Sequence, residues 1–113
     1  LEGDIPSWEN NQLYMVSSLT EAVALPETFS LDRAYPNPFN PTTTLSFALP
    51  VISNVILEVY DINGRLVKEL QSRMLDAGYH SIVWDASSVS SGMYFVKMQA
   101  GSFLETQKIM LVK

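Results

Sequence analysis

The chain has 113 residues, enough for one domain that buries about two-thirds of the surface its unfolded form exposes, so its core needs no covalent staple. Seven Lys and Arg against twelve Asp and Glu leave a net charge of −5, and the cations are scattered, which excludes nucleic-acid binding by clustered positive charge. Cysteine is absent, removing thiol nucleophiles, thiolate metal sites and redox pairs, and no apolar run approaches the ~20 residues of a membrane-crossing helix, so a soluble chain that does not span the membrane is expected.

The chain begins at Leu1 without a charged and then apolar leader, and reads as a fragment of a longer protein whose export signal lies upstream. Residues 1–26 are turn-rich and acidic, consistent with the end of an upstream module and a linker. Within them Leu13 to Val16 could pair as a short strand, and Ser17 to Pro26 could form a helix capped by Ser18 or Thr20 and stopped by the proline.

From residue 27 onward the period is two, the signature of half-buried strands. Phe29 to Leu31 read as a first short strand. Three prolines, Pro36, Pro38 and Pro41, then fix φ repeatedly and predict a polyproline-like rod over Tyr35-Pro36-Asn37-Pro38-Phe39-Asn40-Pro41. Thr43 to Leu49 place Leu45, Phe47 and Leu49 on one face, and Val55 to Asp61 do the same with Val55, Leu57 and Val59. Asn63-Gly64 predicts a hairpin closed by a two-residue I′ turn, leading into a strand over Arg65 to Leu70.

Gln71 to Asp76 read as a polar bend, Tyr79 to Trp84 as a strand with Ile82 and Trp84 inward, and Ser87 to Gly92 as a loop. Met93 to Gln99 and Phe103 to Val112 form a closing hairpin about Ala100-Gly101, with Tyr94, Val96, Met98, Ile109 and Leu111 inward. Short strands with turn signals every ~8–12 residues predict an all-β antiparallel β-sandwich of about seven strands, and the absence of cysteine argues against an antibody-type disulfide but not against an immunoglobulin-like architecture.

Catalytic parts are lacking. His80 stands beside Tyr79 and Ser81 with no second ligand or base, and Asp61 and Asp85 each close a strand, where an Asx side chain bonds turn amides. A loop calcium ion at Asp85 stays an open alternative, although Ser87, Ser88 and Ser90 are weak ligands. The serines before Gly92 follow no strand-to-helix elbow. A sugar platform of Trp84, Tyr94 and Phe95 competes with core roles, and alternation sends Trp84 and Tyr94 inward while Tyr60 and Phe95 face out. No cofactor is implied.

The ordered set Tyr35 to Pro41, Val59-Tyr60-Asp61-Ile62-Asn63-Gly64-Arg65, Ala77-Gly78 to Trp84-Asp85, Gly92-Met93-Tyr94 and Lys108 to Lys113 resembles the type A C-terminal sorting domain of type IX secretion cargo. The middle motifs are also similar to the immunoglobulin-like domain of flagellar hook-capping proteins, whereas the proline motif and the basic-ended tail are not expected there. The alternatives are a non-catalytic carbohydrate-binding or protein-assembly module.

The sorting resemblance implies a sandwich over residues 27–113 that carries an upstream cargo in cis across the outer membrane of a Gram-negative bacterium. Its implied partners are the type IX translocon, an outer-membrane shuttle protein and a sortase-like surface protease that cleaves in the linker, about Thr20 to Thr28, for attachment or release at the cell surface. Carried onto this chain, recognition falls on Tyr35, Pro36, Asn37, Pro38 and Phe39, on Asp61, Gly64 and Arg65, on Gly92 and Tyr94, and on the tail Lys108 to Lys113 with Leu111 and Val112. A last strand with an unpaired edge and a free end is expected to serve strand addition or end capture.

Overall fold

The chain is described by a computed structural model over residues 24–113. The strand expected at Leu13 to Val16 and most of the helix expected from Ser17 lie outside these residues; the helix's last positions, Ala24 to Pro26, are not helical. Seven strands follow: β1 (Ser30–Leu31), β2 (Thr42–Leu49), β3 (Ser53–Tyr60), β4 (Leu66–Leu75), β5 (Gly78–Asp85), β6 (Gly92–Ala100) and β7 (Phe103–Leu111). They form two antiparallel sheets, ordered β1-β2-β5 and β4-β3-β6-β7. This is the all-β sandwich that the alternation predicts.

Period-two patterning decides which face is dry. Leu45, Phe47 and Leu49 of β2 join Val55, Leu57 and Val59 of β3, Tyr94, Val96 and Met98 of β6, and Ile109 and Leu111 of β7 in one buried cluster. A slip of one residue in any of these strands would turn its whole apolar set to water, so burial itself specifies the register. Trp84 closes one end of the core. Its ring stands 5.6 Å from Phe39 and 5.6 Å from Tyr94, edge-on to the latter, and the Tyr94 hydroxyl donates to the Ser90 carbonyl at 2.6 Å.

Three expectations are corrected. Gln71 to Asp76 is not a polar bend: Gln71 to Leu75 continue β4 in register with Leu57 to Ser53 of β3. That stretch is an edge strand with little buried surface on either face, so its polarity is that of an exposed strand. Two register shifts, opposite Leu57/Glu58 and Val59/Tyr60, fall in the preceding part of β4, between Leu66 and Gln71.

The β3–β4 hairpin falls at Asn63-Gly64 as expected, but its connection is longer than a two-residue I′ turn. Gly64 N–H donates to the Asp61 carbonyl at 3.0 Å, and Asp61 N–H donates to the Arg65 carbonyl at 3.0 Å. Gly64 takes φ of 81°, the left-handed step that closes such a three-residue loop. The Asp61 carboxylate favours this form because it accepts the Asn63 and Arg65 amides.

The proline segment is a strap of bends rather than a rod. Its three X–Pro bonds are cis, and its ends bridge different sheets: Tyr35 pairs antiparallel with Thr44 of β2, and Phe39 pairs parallel with Leu111 of β7.

Because the Trp84 side chain is only 3% exposed and holds Phe39 and Tyr94 together, Trp84→Ala is expected to destabilise the domain by ~3–5 kcal/mol. Urea unfolding followed by circular dichroism measures this, and a midpoint equal to wild type would contradict the placement of the ring.

Candidate functional site

The strap begins where β1 ends. Asp32 N–H donates to Ser46 of β2 at 2.8 Å, while its carbonyl accepts from the Gln107 side chain of β7 at 2.6 Å. Ala34 N–H donates to Gln107 Oε1 at 2.8 Å, and Tyr35 exchanges both backbone bonds with Thr44 at 3.0 and 2.9 Å. Thr43 Oγ1 donates to the Pro36 carbonyl at 2.7 Å. Asn37 then turns to β7, donating to the Lys108 carbonyl at 3.3 Å and accepting from Met110 N–H at 3.0 Å. Phe39 N–H donates to the Met110 carbonyl and Val112 N–H to the Phe39 carbonyl, both at 2.9 Å. Pro36 and Pro38 have no N–H to satisfy between these anchors, which suits a segment whose partners lie alternately on two sheets.

This corrects the expectation for the last strand. Its outer edge from Lys108 to Val112 is paired with Asn37 and Phe39, so those backbone groups do not offer a free ladder for strand addition. The side chains there remain accessible: Tyr35 is 79% and Val112 50% exposed, and Asn37, Lys108 and Lys113 are also exposed. Arg33, Tyr35, Pro36, Pro38 and Lys108 line an open groove along this flank.

A second cluster forms at the end of the sandwich. The turn Asp61 to Asn63 and the start of β6, Ser91 to Tyr94, line a shallow cleft. Gly92 pairs with Leu111 at φ of 150°, a backbone state that side chains rarely adopt. Lys113 reaches over the same end: its N–H donates to Ser91 Oγ at 3.0 Å and its Nζ to the Ser87 carbonyl at 2.8 Å. Ala86 N–H donates to the Pro41 carbonyl at 2.9 Å, tying in the strap's far end.

The expected recognition residues therefore divide. Phe39, Tyr94 and Leu111 are buried core; Asp61, Gly64 and Arg65 build a turn, with Arg65 Nε 3.3 Å from Asp61 Oδ2. Tyr35, Asn37, Lys108, Val112 and Lys113 present exposed surface. Thr43, Ser87, Ser91 and Gln107 escaped the sequence reading. Gln107 and Ser91 work through backbone groups 75 and 22 residues away, Ser87 through the Lys113 ammonium 26 residues away and Thr43 through the Pro36 carbonyl 7 residues before it, and period two carries no trace of these bonds.

The other residues weighed for chemistry make structural contacts. His80 stacks on Phe47 at 5.4 Å between centroids, with Nε2 2.8 Å from the Asp76 carbonyl. Asp85 accepts from the Ser87 amide at 2.9 Å and from the Ser87 hydroxyl. Among the described residues no three metal-ligating side chains come together. Trp84 and Tyr94, which a sugar platform would expose, are buried.

Hydrogen bonds shift two carboxyls. The Arg65 amide holds Asp61 below the usual carboxylate range; desolvation, the next-largest influence, opposes it, and the Asn63 amide and the Arg65 guanidinium reinforce it. The Ser87 hydroxyl and amide, with Lys113 nearby, do the same for Asp85. A carboxyl with a depressed folded value adds stability in full above its unfolded value, about 4, and this is lost as pH falls through the depressed folded value. Asp61→Asn is thus expected to be less stable than wild type at neutral pH, with the gap closing as the solution is acidified below that range. Urea titrations across that window measure it, and a gap independent of pH would contradict the assignment.

Comparison with known proteins fits this geometry. A family model described as the secretion system C-terminal sorting domain matches residues 33–113. No curated protein matches the chain in sequence. Among solved structures, PorZ, described as an essential bacterial surface component of the type IX secretion system of Porphyromonas gingivalis, aligns at TM-score 0.56 and 19% identity over 74% of this chain and 12% of its own. Latent dimeric PorU of Porphyromonas gingivalis aligns at TM-score 0.59 and 21% identity over 79% of this chain and 10% of its own. The chain thus spans about a tenth of either structure, and these two likenesses concern the fold. The match of the family model over the strap, the hairpin turn, the β6 start and the tail makes the chain a member of the C-terminal sorting domain family, the sorting signal of type IX secretion.

Proposed function

We propose that residues 27–113 act as a non-catalytic address read by the type IX translocon and an outer-membrane shuttle protein, which carry an upstream cargo across the outer membrane. The observation behind this reading is convergence. Four motifs far apart in sequence are drawn to one end and one flank of the sandwich: the strap, the β6 start and the tail by Phe39–Leu111 pairing, Gly92–Leu111 pairing and the Lys113–Ser91 bond, and the Asp61 turn by Tyr60–Phe95 pairing.

Within that surface Phe39, Tyr94, Leu111, Asp61, Gly64 and Gly92 hold the shape, and Tyr35, Pro36, Pro38, Lys108 and Val112 are what a receptor touches; Asn37, Arg65 and Lys113 do both, since each is exposed and also bonds the strap, the turn or the tail in place. Recognition then requires a folded domain, because the strap and the tail share no neighbourhood until both sheets have formed. A sortase-like surface protease would act in the linker before Phe39's strap, where Ala24, Leu25, Glu27 and Thr28 are exposed, leaving the cargo at the cell surface or outside.

Fusing residues 27–113 to a periplasmic reporter in a bacterium with the type IX apparatus is expected to move the reporter outside the cell. The exposed changes Tyr35→Ala, Lys108→Glu and Lys113→Glu together should abolish export while leaving the melting curve near that of wild type. Swapping Lys68 and Glu69 on the far edge should leave export intact. Periplasmic retention of the folded wild-type fusion, or full export of the triple variant, would contradict the reading.

A further inference from the structure

Two sheets have four edges, and three of them are guarded. β1 is two residues long. β4 has two register shifts and carries Lys68, Glu69 and Arg73, and the outer edge of β7 is paired with the strap from Lys108 to Val112. Bulges, charges and covering segments are the usual devices that keep sheet edges from pairing with other chains. β5 has none. Its pairing with β2 runs unbroken from Gly78 to Asp85, and Gly78 to Trp84 contain no Asp, Glu, Lys, Arg or Pro. Among the described residues nothing pairs with its outer side.

The free groups on that side follow from the ladder. Thr44 turns both backbone groups to Tyr35, and Ser46 turns its carbonyl to Asp32, so the odd-numbered residues of β2 are the ones bonded to β5. Their partners are Gly78, His80, Ile82 and Trp84. By antiparallel alternation, the N–H and C=O groups of Tyr79, Ser81 and Val83 point to the open edge. The side chains of the same three residues are exposed, Tyr79 at 71% and Val83 at 62%.

We propose that this edge pairs with β5 of a second copy of the chain, antiparallel about a two-fold axis at Ser81. In that register Tyr79 meets Val83 of the other copy, Ser81 meets its own equivalent, and each pair exchanges both backbone bonds. The two exposed apolar side chains cover one another on both sides of the axis. Below them His80 lies opposite Ile82, and Asp85 lies opposite Ala77, so no like charges oppose each other. Two-fold registers centred on Tyr79 or Val83 use fewer of the free groups, and a shift by one residue sets outward side chains against inward ones. The result is one continuous sheet across the dimer, ordered β1-β2-β5-β5-β2-β1. The strand's self-complementarity favours a copy over an unrelated peptide.

Sedimentation velocity of the 113-residue chain from micromolar to near-millimolar concentration is expected to show a monomer–dimer equilibrium. Ser81→Lys places two ammonium groups opposite each other at the axis and Ser81→Glu two carboxylates, so each variant alone should associate at least several-fold more weakly than wild type. Mixed in equal amounts they should associate again, because Lys then faces Glu. Circular dichroism melts show whether both variants are folded. A wild-type chain that stays monomeric overturns the proposal. Unchanged association of both folded variants, or no recovery on mixing, overturns the Ser81-centred register.

Discussion

The strap from Asp32 to Pro41 is the constraint on which the rest of the structure depends. A sandwich of three strands against four is held by apolar contact between its sheets, which is strong and non-directional. Contact of that kind fixes how closely sheets approach but only weakly where one lies along the other. The strap adds direction: Asp32, Tyr35 and Pro36 bond to β2, while Asp32, Ala34, Asn37 and Phe39 bond to β7. Phe39 then places its ring against Trp84, so the hydrogen-bonded seam and the apolar core lock one another.

From that seam the proposed recognition surface follows. Pairing Phe39 with Leu111 sets the direction in which the tail leaves the sheet, and the tail's next contacts, Val112 with Phe39 and Lys113 with Ser87 and Ser91, bring it over the end where the Asp61 turn and Gly92 lie. On the proposed reading, an address made this way is read only in the folded state. It also explains why the motif residues are a mixture. A buried Phe39, Tyr94 or Leu111 gives a receptor nothing to touch, yet without them the exposed Tyr35, Asn37, Lys108 and Lys113 would have no common surface.

Legibility from sequence followed burial. β2, β3 and β6 alternate because one face of each is dry, and their inward residues are those the period predicts. β4 was half lost because Gln71 to Leu75 lie on an edge strand with little buried surface, which leaves little contrast to alternate; its register shifts fall in the other half, which was read as a strand. Asn63-Gly64 marked the place of the hairpin, but the loop's form depends on the Asp61 carboxylate accepting two amides, which the dipeptide rule ignores. The proline segment was located correctly and misread as a rod. Its partners, Gln107 and Met110, lie 73 residues away, and no local rule reports a bond of that span. Which of the motif residues face solvent was likewise a tertiary fact.

Hydrogen exchange in Asn37→Ala tests the strap most directly. Removing the amide takes away both of its bonds to β7, to the Lys108 carbonyl and from Met110 N–H. The account predicts that the amides of Met110, Phe39 and Val112 exchange faster than in wild type, while those of Leu57 and Val96, deep in the four-stranded sheet, keep their protection. Unchanged exchange at all three of these amides would contradict the claim that the strap holds the tail in place.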